Sequence, residues 1–302
     1  MYICVRKREE NTKFQSQINY ASEHRRARWQ DEIDEAKRYI VRREQFGAAL
    51  QEQIDEILSE AAEEIVRICY AYNIDPKRLY FGEGFNKEMM DEIASVMDDV
   101  EDEILSLIIN YSTRATDDQR RISILAAWIA LLGKGNRNLR DTLHGYLNKA
   151  LKDWEAAIAA MSNAGLNVAK ASTRIRTYLH QIYNMPEVRS AFKRWQEFAA
   201  TYIRSRGVQY GAVGISNNGS TNVTNMAKIT LQMAWMKAQM LEFEDMGAIG
   251  YIQLRGSSYL CSVCDDETGF HYGLPENLNW PHPNCQCYRI PVYKIGDEIT
   301  LL

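Results

Sequence analysis

Leu50, Ile54, Ile57, Leu58, Ala61, Ile65, Ile68 and Tyr72 recur with a period near 3.6 residues and so fall on one stripe of a helix of about six turns, with Cys69 beside the stripe. Asn73-Ile74-Asp75-Pro76 stops that helix, because proline disfavours a helical residue before it and brings no N–H to continue the ladder. A loop through Gly82 and Gly84 follows. Ile93, Val96, Met97, Val100, Ile104, Ile108 and Ile109 repeat the pattern. Thr116-x-x-Gln119 then reads as a capping box opening an apolar helix around Trp128, and Gly133-Lys134-Gly135-Asn136 ends it. Further helices are predicted over Leu139 to Met161, Ala169 to Tyr183 and Pro186 to Arg204, the last opening on a proline whose missing N–H is not needed there.

The pattern changes at Gly207. Residues 207–225 are rich in glycine and asparagine, and Asn218-Gly219 signals a tight turn, so a loop or short hairpin is expected between two parts of the chain. A final long helix from about Asn225 to Met246 carries Met226, Ile229, Met233, Met236 and Met240 on one stripe, which ordinary core packing accounts for. Tyr251 to Leu254 and Tyr288 to Tyr293 read as strands, with Pro291 suggesting an edge position for the second. The expected fold is mainly α, an elongated multi-helix N-terminal body over 1–206. A Gly/Asn-rich joint over 207–224 leads to a small α+β C-terminal module over 225–302, stabilised by the Cys/His cluster that it carries.

Composition sets limits. With 302 residues and 46% hydrophobic content the chain is long enough to build its main core without metal, so any metal requirement is local. No secretory or transit segment is readable in Met1 to Glu10, which predicts a cytoplasmic start. The longest apolar stretch, Ile122 to Leu132, falls short of the roughly 20 residues a membrane span needs. Charge is uneven: residues 46–110 hold 4 basic against 16 acidic side chains, and residues 111–206 hold 16 basic against 7 acidic. The basic surplus suits nucleic acid or an acidic partner, or it is neutralised internally by the acidic stretch.

The chemistry lies in the cysteines. Four of the six fall within residues 261–287, as Cys261-x-x-Cys264, a 20-residue spacer, and Cys285-x-Cys287, with His282 three residues before Cys285. Short-spaced pairs of this kind let sulfurs converge tetrahedrally on zinc, so Cys261, Cys264, His282, Cys285 and Cys287 are five candidates for four ligand positions. His271, inside the spacer, reads as a loop or packed histidine. Disulfides would suit an exported chain, and a thioredoxin-like CxxC would need a helix N-terminus rather than the acidic Asp265-Asp266-Glu267 that follows. Those three acids read as a solvated run. Available thiolates favour a closed structural site over a catalytic one with an open position. Cys69 is expected to pack as a small hydrophobe, and Cys4 lies near the terminus. No HExxH or GxSxG occurs, and Gly133-Lys134-Gly135 lacks the rest of a phosphate-binding loop, so no catalytic residue is assigned.

Tyr259-Leu260-Cys261-Ser262-Val263-Cys264-Asp265, the spacer with Gly269, Pro281-His282-Pro283-Asn284-Cys285-Gln286-Cys287 and Ile290-Pro291-Val292 together resemble the phage Mu F-like head-morphogenesis family. His-Pro-Asn-Cys-x-Cys is the most specific piece, and the resemblance covers roughly residues 225–295. It departs at Ala227 to Gln232, where the family often has an Ile-Ala-Arg-Thr-Glu-like run, and at Ile252 and Ser258, where tryptophan and aspartate are expected. The resemblance implies a minor capsid protein of a tailed bacteriophage, seated near the portal inside the head and acting in assembly and in DNA packaging or ejection. Its implied partners are the portal protein and capsid or scaffolding proteins, with packaged DNA met by residues 111–206. It also implies several copies around the portal, host cytoplasm during assembly, and no enzymatic activity. The alternative is a zinc-stabilised phage nuclease or effector, for which the Asp-His pair and downstream histidine are missing.

Overall fold

The stripe that begins at Leu50 belongs to a helix far longer than its apolar pattern. In the computed structural model, which describes residues 23–73, 86–132, 137–192, 218–256, 262–275, 285–295 and 298–300, helix α1 runs Glu23–Ala71. Its 49 residues span roughly 70 Å at 1.5 Å each. Its second half buries Leu50, Ile54, Leu58, Ile65 and Val66 in the main core. Its first half is dominated by charged residues and buries Ala36 against strand residues, which is why no long apolar stripe betrays it. The helix stops where the proline signal places it, with Asn73 in the left-handed region at φ 48°, a conformation asparagine tolerates.

Helix α2, Lys87–Thr113, is capped by Asn86, whose side chain accepts from the Met89 N–H (2.8 Å), and it packs Ile93, Met97, Val100, Ile104 and Ile108 into the same core. Helix α3, Gln119–Leu131, opens differently from the expected Thr116/Gln119 box. Asp118 is the cap, accepting from the Arg120 and Arg121 N–H groups at 2.8 and 3.0 Å, while Thr116 Oγ1 accepts from the Asp118 N–H. A carboxylate one residue before the helix meets two orphan donors and the positive end of the dipole together, which a Thr/Gln pair does less well. Helix α4, Leu139–Asn163, follows. The predicted helix Ala169 to Tyr183 is divided into α5, Val168–Thr177, and a 3₁₀ turn at Ile182–Asn184, and the break lets Leu179, Ile182 and Met185 all reach the core. Helix α6 is described over Pro186–Phe192; the remainder of the predicted helix to Arg204 lies outside the described residues.

Helix α7, Gly219–Asp245, corrects the reading of Asn218-Gly219 as a turn and starts about six residues before the expected Asn225. Residues 219–224 of the expected joint are therefore helical, and 207–217 lie outside the described residues. Asn218 is the N-cap, accepting from the Thr221 N–H (3.0 Å) while its amide donates to the Leu179 carbonyl (3.0 Å). Gly219 sits so close to the α4 backbone that a Cβ would overlap Ala150, and its N–H donates to the buried Asp153 carboxylate at 2.7 Å. His180 lies between Asp55 Oδ1 (3.0 Å) and Thr221 Oγ1 (3.2 Å), tying α1 to the first turn of α7. From there α7 is buried on nearly all sides. Val223, Met226, Leu231 and Trp235 join the main core, and Met236, Met240 and Phe243 form a second cluster with Tyr251. The methionine stripe is core packing.

Strands β1, Gly250–Leu254, β2, Gly269–Tyr272, β3, Tyr288–Ile295, and β4, Glu298–Thr300, make an antiparallel sheet in the order β2-β1-β3-β4. The sheet is seated on the first half of α1, where Ala36 meets Tyr288 and Ile290, with Trp29, Ile33, Ile40 and Leu254 around them. β3 pairs with β4 only from Tyr293 onward, so Pro291 precedes that pairing and a missing donor on that side breaks no ladder bond among the described residues. The whole is mainly helical with a small sheet at one end, as the sequence predicts. No described helix is long and apolar enough to cross a membrane.

Part of the uneven charge is met across helices. Arg176 pairs with Glu63 (3.4 Å), Arg140 with Glu101 (3.0 Å) and Asp102 (2.8 Å), and Arg121 with Asp245 (2.8 Å). Within the basic stretch itself, Arg174 pairs with Glu187 (3.2 Å) and Lys149 with Asp153 (3.2 Å). Such pairs set orientation more than stability where they are exposed.

Candidate metal centre

Three of the five candidate ligands come together. Cys264 stands on a short helix, α8, Ser262–Glu267, whose end is fixed by Thr268 Oγ1 donating to the Cys264 carbonyl (2.7 Å) and by an ion pair between Arg255 and Asp265. Cys285 and Cys287 lead into β3, where alternate residues of an extended chain share a side. The three sulfurs lie within 4.8 Å of one another, close enough to hold one metal ion, and Cys264 Sγ is 4.0 Å from Cys285 Sγ. Two sulfurs each at 2.3 Å from a tetrahedral metal stand about 3.8 Å apart, so this spacing needs little adjustment. Cys264 and Cys287 are buried, Cys285 partly so, and none of the three is in a disulfide. Cys261 and His282 lie outside the described residues.

Close backbone approach makes the cluster possible. Gly256, just past β1, lies against the Gln286 carbonyl between the two cysteines of the CxC, where any Cβ would overlap it. The buried Arg43 of α1 donates to the Cys285 carbonyl and pairs with Glu44 (2.7 Å). Arg289, two residues beyond Cys287, is also buried; its guanidinium lies 5.7 Å from the Tyr251 ring centroid, and the Gln239 amide donates to its carbonyl (3.4 Å). Neither arginine has a signal in the local sequence. Arg43 is 242 residues from Cys285, and only the docking of α1 on the sheet brings it there.

The electrostatics of the cluster follow from holding three thiols together. The Cys287 thiol is pushed far up from its ordinary value, first by its hydrogen bond with Cys285 and then by burial and the neighbouring sulfurs. Three adjoining thiols resist ionising together, and a bound divalent cation reverses that preference because the thiolate is the ligand. His271 stands apart, as the sequence suggests. It lies on β2, stacks on Tyr251 with ring centroids 4.7 Å apart, and hydrogen-bonds through Nε2 to the Glu267 carbonyl (2.7 Å). Asp265 is engaged by Arg255, and Asp265 and Asp266 are exposed. Cys69 is a buried core residue whose thiol is pushed up to about 12 by burial, far from nucleophilic use. Compared with protein-family models, with curated proteins and with solved structures, the chain finds no match in any of the three.

Proposed function

We propose that this chain is a minor capsid protein acting in head morphogenesis of a tailed bacteriophage, with a structural zinc ion holding its C-terminal module. The observation that carries the zinc is the convergence of Cys264, Cys285 and Cys287 at the junction of α8 and β3. Zinc takes four protein ligands at closed sites, and the fourth is drawn from Cys261 or His282, the remaining members of the motif. The sheet is small and draws its core from α1 and α7, so a metal crosslink between α8 and β3 supplies rigidity that burial there does not. A thiolate-filled site leaves no open position for water, which supports a structural role without catalysis.

The capsid reading rests on the His282-Pro283-Asn284-Cys285-x-Cys287 resemblance and on the absence of a catalytic constellation in the sequence. In it the helical body contacts the portal protein, and capsid or scaffolding proteins, from inside the head, in several copies around the portal, after assembly in the host cytoplasm. Packaged DNA would be met by basic side chains outside the ion pairs, among them the exposed Arg120, Lys152 and Lys170. Two measurements test this. Metal analysis of the purified chain is expected to give one zinc per molecule. A pull-down with the portal protein from the same genome, run at rising salt, is expected to retain the chain at low salt; no binding at any salt concentration refutes the portal role.

A further inference from the structure

Arg43 and Arg289 are costly residues to bury, at 2% and 8% exposure. A guanidinium stays charged in the interior and needs a countercharge there. Arg43 has a partly exposed carboxylate, Glu44, and the Cys285 carbonyl. Arg289 has the Tyr251 side chain, as ring and as hydrogen-bond partner, but its Nε has no acceptor and no carboxylate pairs with it among the described residues. The two guanidiniums also lie within electrostatic range of each other and, for Arg289, of Cys285. Two buried positive charges thus converge beside three thiols. Three thiolates around a divalent cation carry one net negative charge and a fourth thiolate adds another, so the loaded centre supplies a buried countercharge to Arg289, which has no carboxylate, and to Arg43, whose one carboxylate partner is partly exposed.

Building on the zinc reading above, we propose that Arg43 and Arg289 are the countercharges of the metal–thiolate centre, and that through Arg43 the bound metal locks the first half of α1 onto the sheet. On loading, the thiols release their protons to solvent and become ligands. The resulting negative charge draws both guanidiniums inward and strengthens the Arg43 contact at Cys285. Arg43 lies on the same helix as Ala36, which packs against Tyr288 and Ile290, so metal occupancy and helix docking share one coupling free energy. What favours one favours the other.

The test uses the full chain and zinc alone. Zinc affinity is measured by competition with a chromophoric chelator for the wild type, Arg43→Met and Arg289→Met, which keep bulk and lose charge, and for Arg43→Lys and Arg289→Lys. The methionine variants are expected to bind zinc about ten- to a hundredfold more weakly, and the lysine variants to recover part of the loss. Hydrogen exchange on the wild type is expected to show residues 29–43 opening faster after chelation while residues 50–68 keep their protection. Folded methionine variants that bind zinc as tightly as the wild type overturn the proposal, and so do lysine variants as weak as the methionine ones. Unchanged exchange over 29–43 after chelation overturns it without recourse to any variant. A wild type that binds no zinc sinks the structural-zinc reading itself, whereas equal binding by all five chains sinks only the countercharge.

Discussion

Asp153 holds the start of α7 to α4, and its removal has an effect that can be worked out contact by contact. Its side chain is 5% exposed and accepts from the Gly219 N–H (2.7 Å), the Tyr183 hydroxyl (2.5 Å) and Lys149 Nζ (3.2 Å). In Asp153→Ala the Gly219 N–H is left buried without an acceptor, a loss of about 1–3 kcal/mol. Removing a negative charge from the first turn of a 27-residue helix takes away roughly 0.5–2 kcal/mol more. Tyr183 and Lys149 reach water, being 40% and 38% exposed, so together they add no more than about 1 kcal/mol. The expected destabilisation is about 3–5 kcal/mol, within the range for breaking a buried charged contact. Asp153→Asn keeps an acceptor at the same place and is expected to lose only about 1–2 kcal/mol. Urea unfolding followed by helical circular dichroism measures both, and at a slope of about 3 kcal/mol per molar the alanine midpoint falls by roughly 1 M or more. An alanine variant within 0.5 kcal/mol of the wild type at unchanged slope would show that this network does not hold the helix.

Other consequences are open to direct measurement. Glu155, partly buried on α4, has its carboxyl raised from 4.5 to about 7 by burial, so the folded chain holds a proton that the unfolded chain releases. Stability is then greatest below pH 4.5 for this group and is lost as pH rises to about 7. Glu155→Gln is expected to remove that slope and to add about 2–3 kcal/mol at pH 8, and a wild type and variant with parallel pH profiles would contradict it. Gly219→Val forces a side chain into the Ala150 backbone and is expected to destabilise by about 3 kcal/mol or to displace the first turn of α7; a neutral effect in thermal unfolding would refute the close approach. Cys264→Ser is expected to leave the helical core folded but to abolish stoichiometric zinc, and full retention of zinc would remove Cys264 from the site. Two buried guanidiniums balance four thiolates better than three, so Cys261→Ser is expected to lose more zinc than His282→Asn; the reverse order in metal analysis would place a histidine among the ligands. A nicking assay with magnesium or manganese is expected to show no cleavage, and cleavage lost in the combined His271→Ala, His282→Ala variant would favour the nuclease alternative.

Much of the molecule can be read along the chain. The 3.6-residue recurrence from Leu50 to Tyr72 and from Ile93 to Ile109 marks two core-facing helices, and Pro76 marks the end of the first, because periodicity and proline act on residues close in sequence. The cysteine spacing likewise points to Cys261, Cys264, His282, Cys285 and Cys287, of which the fold brings Cys264, Cys285 and Cys287 together, while Cys261 and His282 lie outside the described residues. Where local preference was compatible with two outcomes, contacts from elsewhere chose. Asn218-Gly219 suits a turn as well as a cap, and the Ala150 backbone and Asp153, 66 residues from Gly219, made it a helix start. Asp118 displaced the Thr116 box because its carboxylate reaches two donors at once. The charged first half of α1 gave no core signal of its own and acquired one only when the sheet covered Ala36. Arg43 and Arg289 show the limit most plainly. Their side chains look like solvated charges along the sequence; Arg43 comes to the thiols by a contact across 242 residues, and Arg289, two residues from Cys287, is buried only when the fold covers that strand. Periodicity, breakers and ligand spacing are properties of neighbouring residues and are fixed by the sequence itself; close backbone approach and buried countercharge depend on which distant surfaces meet, and only the packed fold decides that.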